Sequence, residues 1–194
     1  MADKLIPTPS QTVGPFFHLG MARAEWADLT ADHPAGEKIA IEGRVIDGDG
    51  APVPDAIIEL WQANAAGRYN HPDDPQTDKP LDPHFRGFGR VATDAEGHFR
   101  VVTIKPGPVP GRGNALQAPH INIALFARGL LTHLFTRIYF ADESANVSDP
   151  LLTSIEDTAA RRSLLAQRSA SGSPPLYHFD IVLQGENETV FLDI

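Results

Sequence analysis

The sequence predicts an all-β domain: an antiparallel β-sandwich with an extended N-terminal arm and one short amphipathic helix. Three observations predict it. Short segments alternate apolar and polar residues with period two, the pattern of strands with one buried face. Seventeen prolines and sixteen glycines punctuate those segments at turns. Only one stretch spaces its apolar residues as a helix would.

Residues 1–38 carry no sustained period and several Pro and Gly, which predicts an extended arm with a short helical turn. Ile39–Asp47 alternates cleanly, and Gly48-Asp49-Gly50 with Pro52 and Pro54 marks the turn into a strand over Ala56–Trp61. Asn70–Arg86 is rich in Pro and Asp and predicts a long ordered loop. Further strands are expected at His98–Ile104, His120–Ala127, Phe135–Phe140, Tyr177–Leu183 and Thr189–Ile194, seven in all, as a sandwich requires. Thr153–Arg168 sets Ile155, Ala159, Leu164 and Leu165 among Glu156, Asp157, Arg161 and Arg162, which predicts the one helix, capped by Thr153 or Ser154. No repeat or shift in composition divides the chain. One domain over 1–194 is expected, with an arm at 1–38 and the sandwich core at 39–194.

Composition narrows the function. Apolar residues make up 42%, ordinary for a globular protein, and 194 residues suffice for a substantial core. No apolar run is long enough to span a bilayer, and Met1–Pro7 lacks the apolar centre of a secretory signal, so neither membrane insertion nor secretion is expected. With no cysteine, disulfides and thiolate metal sites are ruled out, and a cytoplasmic location is expected. Sixteen basic against 25 acidic residues give a net charge of −9, which repels phosphate backbones and argues against nucleic acid. An anionic small substrate would need a local arginine.

Several residues could carry chemistry. Tyr69 closes a Gly67-Arg68-Tyr69 turn after a strand; on its own it is a rim tyrosine with a hydrogen-bonded hydroxyl. His120 and Asn122 stand at i and i+2 of a strand, so both side chains leave the same face. A His-x-His pair would clamp a metal at that spacing. With Asn in the second place, His120 reads as a satisfied core histidine. No nucleophile elbow, phosphate-cradling loop or other histidine pair at ligand spacing is present, and Gly111-Arg112-Gly113 is too short for a nucleotide loop.

Three runs together carry a resemblance. Trp61-Gln62-Ala63-Asn64-Ala65-Ala66-Gly67-Arg68-Tyr69, then Lys105-Pro106-Gly107-Pro108-Val109-Pro110, then Pro119-His120-Ile121-Asn122 resemble the intradiol ring-cleaving dioxygenases. Members of that family hold ferric iron with two tyrosines and two histidines. Here the four positions read Tyr69, Val109, His120 and Asn122, and neither Val nor Asn serves as such a ligand. The arm Thr8-Pro9-Ser10-Gln11-Thr12-Val13-Gly14-Pro15-Phe16-Phe17-His18, with Ala118–Ile123, Leu125–Gly129, Leu134–Phe140 and Gln184–Phe191, is similar to the α chains of the family's two-chain members.

The resemblance implies a division of labour. A homologous β chain would carry Fe(III), and none would be bound by this chain. This chain would wall the pocket with Thr12, Gly14, Pro15 and Phe16, and Arg128 would reach the carboxylate of 3,4-dihydroxybenzoate. Phe16 stands where relatives often have Tyr, so that hydroxyl is missing. Gln117 stands near a position where catalytic chains carry an arginine. The reaction implied is cleavage by O2 to 3-carboxy-cis,cis-muconate in the β-ketoadipate pathway, in a higher oligomer of αβ units, with the isolated chain inactive. From the residues alone, Arg128 is a surface arginine at a turn. Two rival readings stand beside this one: a non-catalytic scaffolding or ligand-binding sandwich with a vestigial iron site, and an enzyme rebuilt on Tyr69, His120 and His71 or His84.

Overall fold

The computed structural model describes residues 7–193 apart from 112 and 114. The start at Met1–Ile6, the loop at Arg112 and the end of the strand expected over 189–194 therefore lie outside the described residues.

Helix α1 (Pro15–Met21) opens on a proline, whose fixed φ and missing N–H suit the first helical position. A 3-10 turn at Ala24–Ala27 follows. Then come β1 (Lys38–Ile46), β2 (Ile57–Trp61), β3 (Phe88–Ala92) and β4 (His98–Ile104), a small ladder of β5 (Val109–Pro110) with β6 (Leu116–Gln117), and the long pair β7 (His120–Phe126) and β8 (Leu134–Phe140). Helices α2 (Pro150–Ser154) and α3 (Thr158–Arg162) precede β9 (Leu165–Arg168), β10 (Leu176–His178) and β11 (Ile181–Val182).

The strands build two layers. One is β4-β1, with β10 and then β11 along the other edge of β1; the second is β3-β2-β7-β8. Strand β9 pairs with both β8 and β10 and turns the layers into one nearly closed sheet. Ile39, Ile41, Val101 and Tyr177 from the first layer meet Ile58, Leu60, Ile121, Ile123, Ile138 and Phe140 from the second in a single buried cluster. Each such side chain contributes roughly 1.5–3 kcal/mol of transfer free energy.

The 3-10 turn fills the seam between the unpaired edges of β3 and β4. Leu29 N–H donates to the Val102 carbonyl at 2.9 Å. On the other side, the Arg90 guanidinium of β3 lies 4.5 Å from the Trp26 ring centroid while it pairs with Glu59. A Cβ at Gly89 would lie 2.4 Å from Leu29 Cδ1 and 3.1 Å from the Trp26 carbonyl oxygen, so glycine leaves room for the turn to pack closely.

Three expectations are revised. Pairing is not antiparallel throughout: β1 runs parallel to β10 and β11, and β8 to β9. Parallel neighbours need a crossover, which α2 and α3 supply between β8 and β9. The single helix over Thr153–Arg168 resolves into the end of α2, all of α3, and β9. The chain turns extended at Ile155 (ψ 107°), and Asp157 caps a fresh helix by accepting the Ala159 N–H. Leu165–Arg168 then follows the open edges of β8 and β10, tertiary pairing overriding helical spacing. The strand expected at 189–194 is only a bridge between Phe135 and Leu192. Among the described residues, no helix is long and apolar enough to cross a membrane.

Candidate functional site

The four positions expected to be degenerate ligands, Tyr69, Val109, His120 and Asn122, lie on three segments that the fold brings together. Gly67, at φ +78°, packs so tightly under the 105–110 loop that a Cβ there would lie 2.0 Å from the Pro108 carbonyl oxygen. Only glycine brings the Tyr69 turn against the segment carrying Val109. Tyr69 then stacks on Trp61, ring centroids 5.7 Å apart. Its backbone N–H is held by Asp74 at 2.6 Å. Strand pairing sets Asn122 opposite Trp61 on one side and Arg137 on the other. Asn122 Nδ2 donates to the Tyr69 hydroxyl oxygen at 3.4 Å and to the Trp61 carbonyl at 3.3 Å. Its Oδ1 accepts from Arg137 Nε at 3.0 Å.

Arg137 is central and was not singled out by sequence. Besides Asn122, it donates through Nη1 to Gln117 Oε1 at 2.6 Å and to the Tyr139 hydroxyl oxygen at 3.3 Å. Gln117 lies opposite Val109 in the β5–β6 ladder, so the guanidinium is bonded to β7 directly and to the ladder that carries Val109 through Gln117. The only available signal was the strand register that puts Arg137 across from Asn122.

His120 is buried, and its Nδ1 hydrogen-bonds the Ala118 carbonyl at 2.7 Å. Because a carbonyl only accepts, this bond places the proton on Nδ1 and leaves Nε2 unprotonated. Burial, reinforced by the Arg137 charge, pushes the imidazole pKa down to about 4. The Tyr69 phenol is raised above its ordinary value, chiefly by burial. Behind this site, fully buried Asp149 accepts from the Ala118 N–H, the Tyr139 hydroxyl and the Leu151 and Leu152 N–H groups. One carboxylate thereby anchors both the lead-in to β7 and the start of α2. An adjoining cleft of about 620 Å³ is lined by Trp61, Tyr69, His71, Asp74, Gln76 and Val109.

These residues do not fit an iron ion. Val109 offers no donor, Tyr69 is held as a neutral phenol, and the one good acceptor of Asn122 is already committed to a guanidinium. His120 alone keeps a ligand's arrangement. Among the described residues, the one converging trio of His and acidic side chains is Asp94, Glu96 and His98, on the exposed turn before β4. His71 lies beside Trp61 in the cleft, and His84 lies in a different groove with Trp26 and Phe88. His84 therefore lies apart from the cleft that Tyr69 and His71 share.

The second group of expected residues meets at the far end of β7. Gly14, Pro15 and Arg128 line one groove of about 230 Å³ with Val13, His18 and Asp55. Arg128 Nη2 pairs with Asp55 Oδ2 at 3.0 Å, and both side chains are about half exposed. Thr12 is outside the groove wall but ties it together: its Oγ1 accepts the Gly129 N–H at 2.7 Å and donates to the Ala127 carbonyl at 3.4 Å. Those are the residues on either side of Arg128. Phe16 does not line the groove; it is 82% exposed, and Leu19 on the same helix 73%. Asp55, with φ +62°, went unnoticed in the sequence.

A layered, nearly closed sheet with Tyr69, Val109, His120 and Asn122 toward one end of β7 defines the class. The family model described as Dioxygenase matches residues 13–185, and the chain belongs to the intradiol dioxygenase family. Members of that family use non-haem iron. Over its whole length, and the whole of the relative's, the chain is 42% identical to the protocatechuate 3,4-dioxygenase alpha chain of Pseudomonas putida. It is also 44% identical to the beta chain from Burkholderia cepacia, over 80% of this chain and 68% of that one. Among solved structures, the dioxygenase domain of a carbohydrate-binding fusion protein from Streptomyces sp. SirexAA-E superposes with a TM-score of 0.63 at 26% identity, covering 95% of this chain and all of that one.

Proposed function

We propose that this chain is the non-ligating α subunit of a heteromeric protocatechuate 3,4-dioxygenase. The complex would cleave 3,4-dihydroxybenzoate with O2 to 3-carboxy-cis,cis-muconate, both oxygen atoms entering the product. The observation that carries this reading is the contrast between the two ends of β7. One end has lost its metal-binding chemistry, while the other presents an arginine in a groove walled by the N-terminal arm.

A homologous β chain would hold the ferric iron. This chain would supply the wall: Gly14 and Pro15 shape it, Thr12 fixes the Arg128 turn, and Phe16 extends apolar surface toward the partner. Arg128 would pair with the substrate carboxylate, supplying the positive charge that a surface of net −9 otherwise lacks. Orientation, not redox chemistry, is its contribution. We place the complex in the cytoplasm, as a higher oligomer of αβ units, with residues 1–38 as an arm on a single domain.

The test is co-expression with a candidate β chain. One iron per αβ pair is expected, lost when the β-chain ligands are mutated and kept in Arg128→Ala. That substitution should raise KM for protocatechuate at least tenfold, about the value of a charge-assisted hydrogen bond of 1.5–3 kcal/mol. An unchanged KM would remove Arg128 from the pocket. Stoichiometric iron on this chain alone would overturn the assignment.

A further inference from the structure

We propose that Arg137 has taken the metal's place as the cation of the inherited site, and that it bars iron independently of the two missing ligands. Position comes first. Arg137 on β8 lies directly across from Asn122 on β7, so both side chains project from one face of the sheet. Asn122 is the position from which a ligand would reach the metal. Its Oδ1 reaches Arg137 Nε instead, at 3.0 Å.

The guanidinium's partners strengthen the case. Its hydrogen bonds go to the Asn122 and Gln117 amide oxygens and the Tyr139 hydroxyl oxygen. All three are neutral acceptors, and no carboxylate pairs with Arg137 among the described residues. The nearest acid in the network, Asp149, is reached only through the Tyr139 hydroxyl. The site thus already holds a fixed, covalently attached positive charge, and its hydrogen bonds occupy the acceptors around it. The opposite face of Asn122 completes the arrangement, its Nδ2 turned to the Tyr69 hydroxyl.

An iron ion entering this space would meet a fixed positive charge and acceptors already engaged. A bystander arginine predicts that restoring the ligands restores the metal. An arginine standing in for the metal predicts that it does not. This inference concerns the chain's own residues and does not depend on the β partner.

The test compares V109Y/N122H with V109Y/N122H/R137Q, each purified as the full chain, incubated with ferrous iron in air and desalted. Iron per chain and the phenolate-to-iron visible band are read. The variant that keeps Arg137 should hold iron well below stoichiometry, and the one without it at least fivefold more. Equal loading overturns the proposal, and so does failure of both to load while both melt cooperatively. If the larger variants do not fold, N122H with and without R137Q is titrated with cobalt(II). A Kd at least tenfold tighter without the guanidinium is expected, and equal values would refute the idea.

Discussion

His120 shows what burial does to a single imidazole. With a folded pKa of about 4 against 6.5 for the free side chain, it resists protonation where an unfolded chain accepts it. The unfolded state therefore binds more protons between those values, and stability falls as pH drops from about 6.5 to 4, then levels. A shift of this size corresponds to roughly 3 kcal/mol. Urea unfolding of the isolated chain at pH 7 and pH 4.5, compared with His120→Gln, should show that the substitution flattens most of this slope; parallel pH profiles would sink the assignment. Arg128 is the opposite case. Its exposed pair with Asp55 is worth about 0–1 kcal/mol, weak enough for a substrate carboxylate to displace. At this scale the sequence made the degenerate positions visible, because ligand chemistry is written in residue types. Arg137, Asp55 and Asp149 were invisible, since their importance comes from partners 15 or more residues away that only the register supplies.

Gly43 carries the element-scale lesson. On one edge, β1 pairs with β10 up to Glu42 and with β11 from Val45, and the Phe179 carbonyl crosses in between. A Cβ on Gly43 would lie 1.8 Å from that oxygen. Gly43→Ala should therefore destabilise the chain by about 3 kcal/mol or more, the scale of a severe core clash. A shift in the urea midpoint measures it, and a wild-type midpoint would show that β10 and β11 can slide. Alternation revealed β1, β2, β4, β7 and β8, because long strands with one buried face declare their period. It could not reveal β3, which follows a Pro-rich loop, nor β9, whose extended form is imposed by the edges it joins. The break between β10 and β11 was hidden for the same reason: it belongs to the crossing with Gly43, not to the local sequence.

At the scale of the whole molecule, β7 organises two separate places. Asn122 lies near its start and Arg128 just past its end, and the four residues from Asn122 to Phe126 alone span roughly 13 Å at the rise of a strand. The chain's own broken centre and its arginine groove therefore cannot serve one small substrate. Phe16 and Leu19 stand exposed on α1 beside the groove, apolar surface that a partner would cover. Replacing both with serine should leave the urea midpoint of the chain within about 0.5 kcal/mol, as surface changes do. Co-purification with a β chain should fall at least tenfold; undiminished recovery of the complex would place the interface elsewhere. Composition argued against nucleic acid and suggested a need for local positive charge, but which face meets a partner is a property of the folded surface.

The Thr12 hydroxyl, clasped between Ala127 and Gly129, has one more consequence. It ties the arm to the turn that bears Arg128 within a single chain. The conformational freedom of that arm is thus given up when the chain folds, not when a second subunit arrives. Association then proceeds between surfaces already in their final shape, with less ordering to oppose it. On the proposed reading, Thr12 would in this way lower the cost of bringing two subunits together.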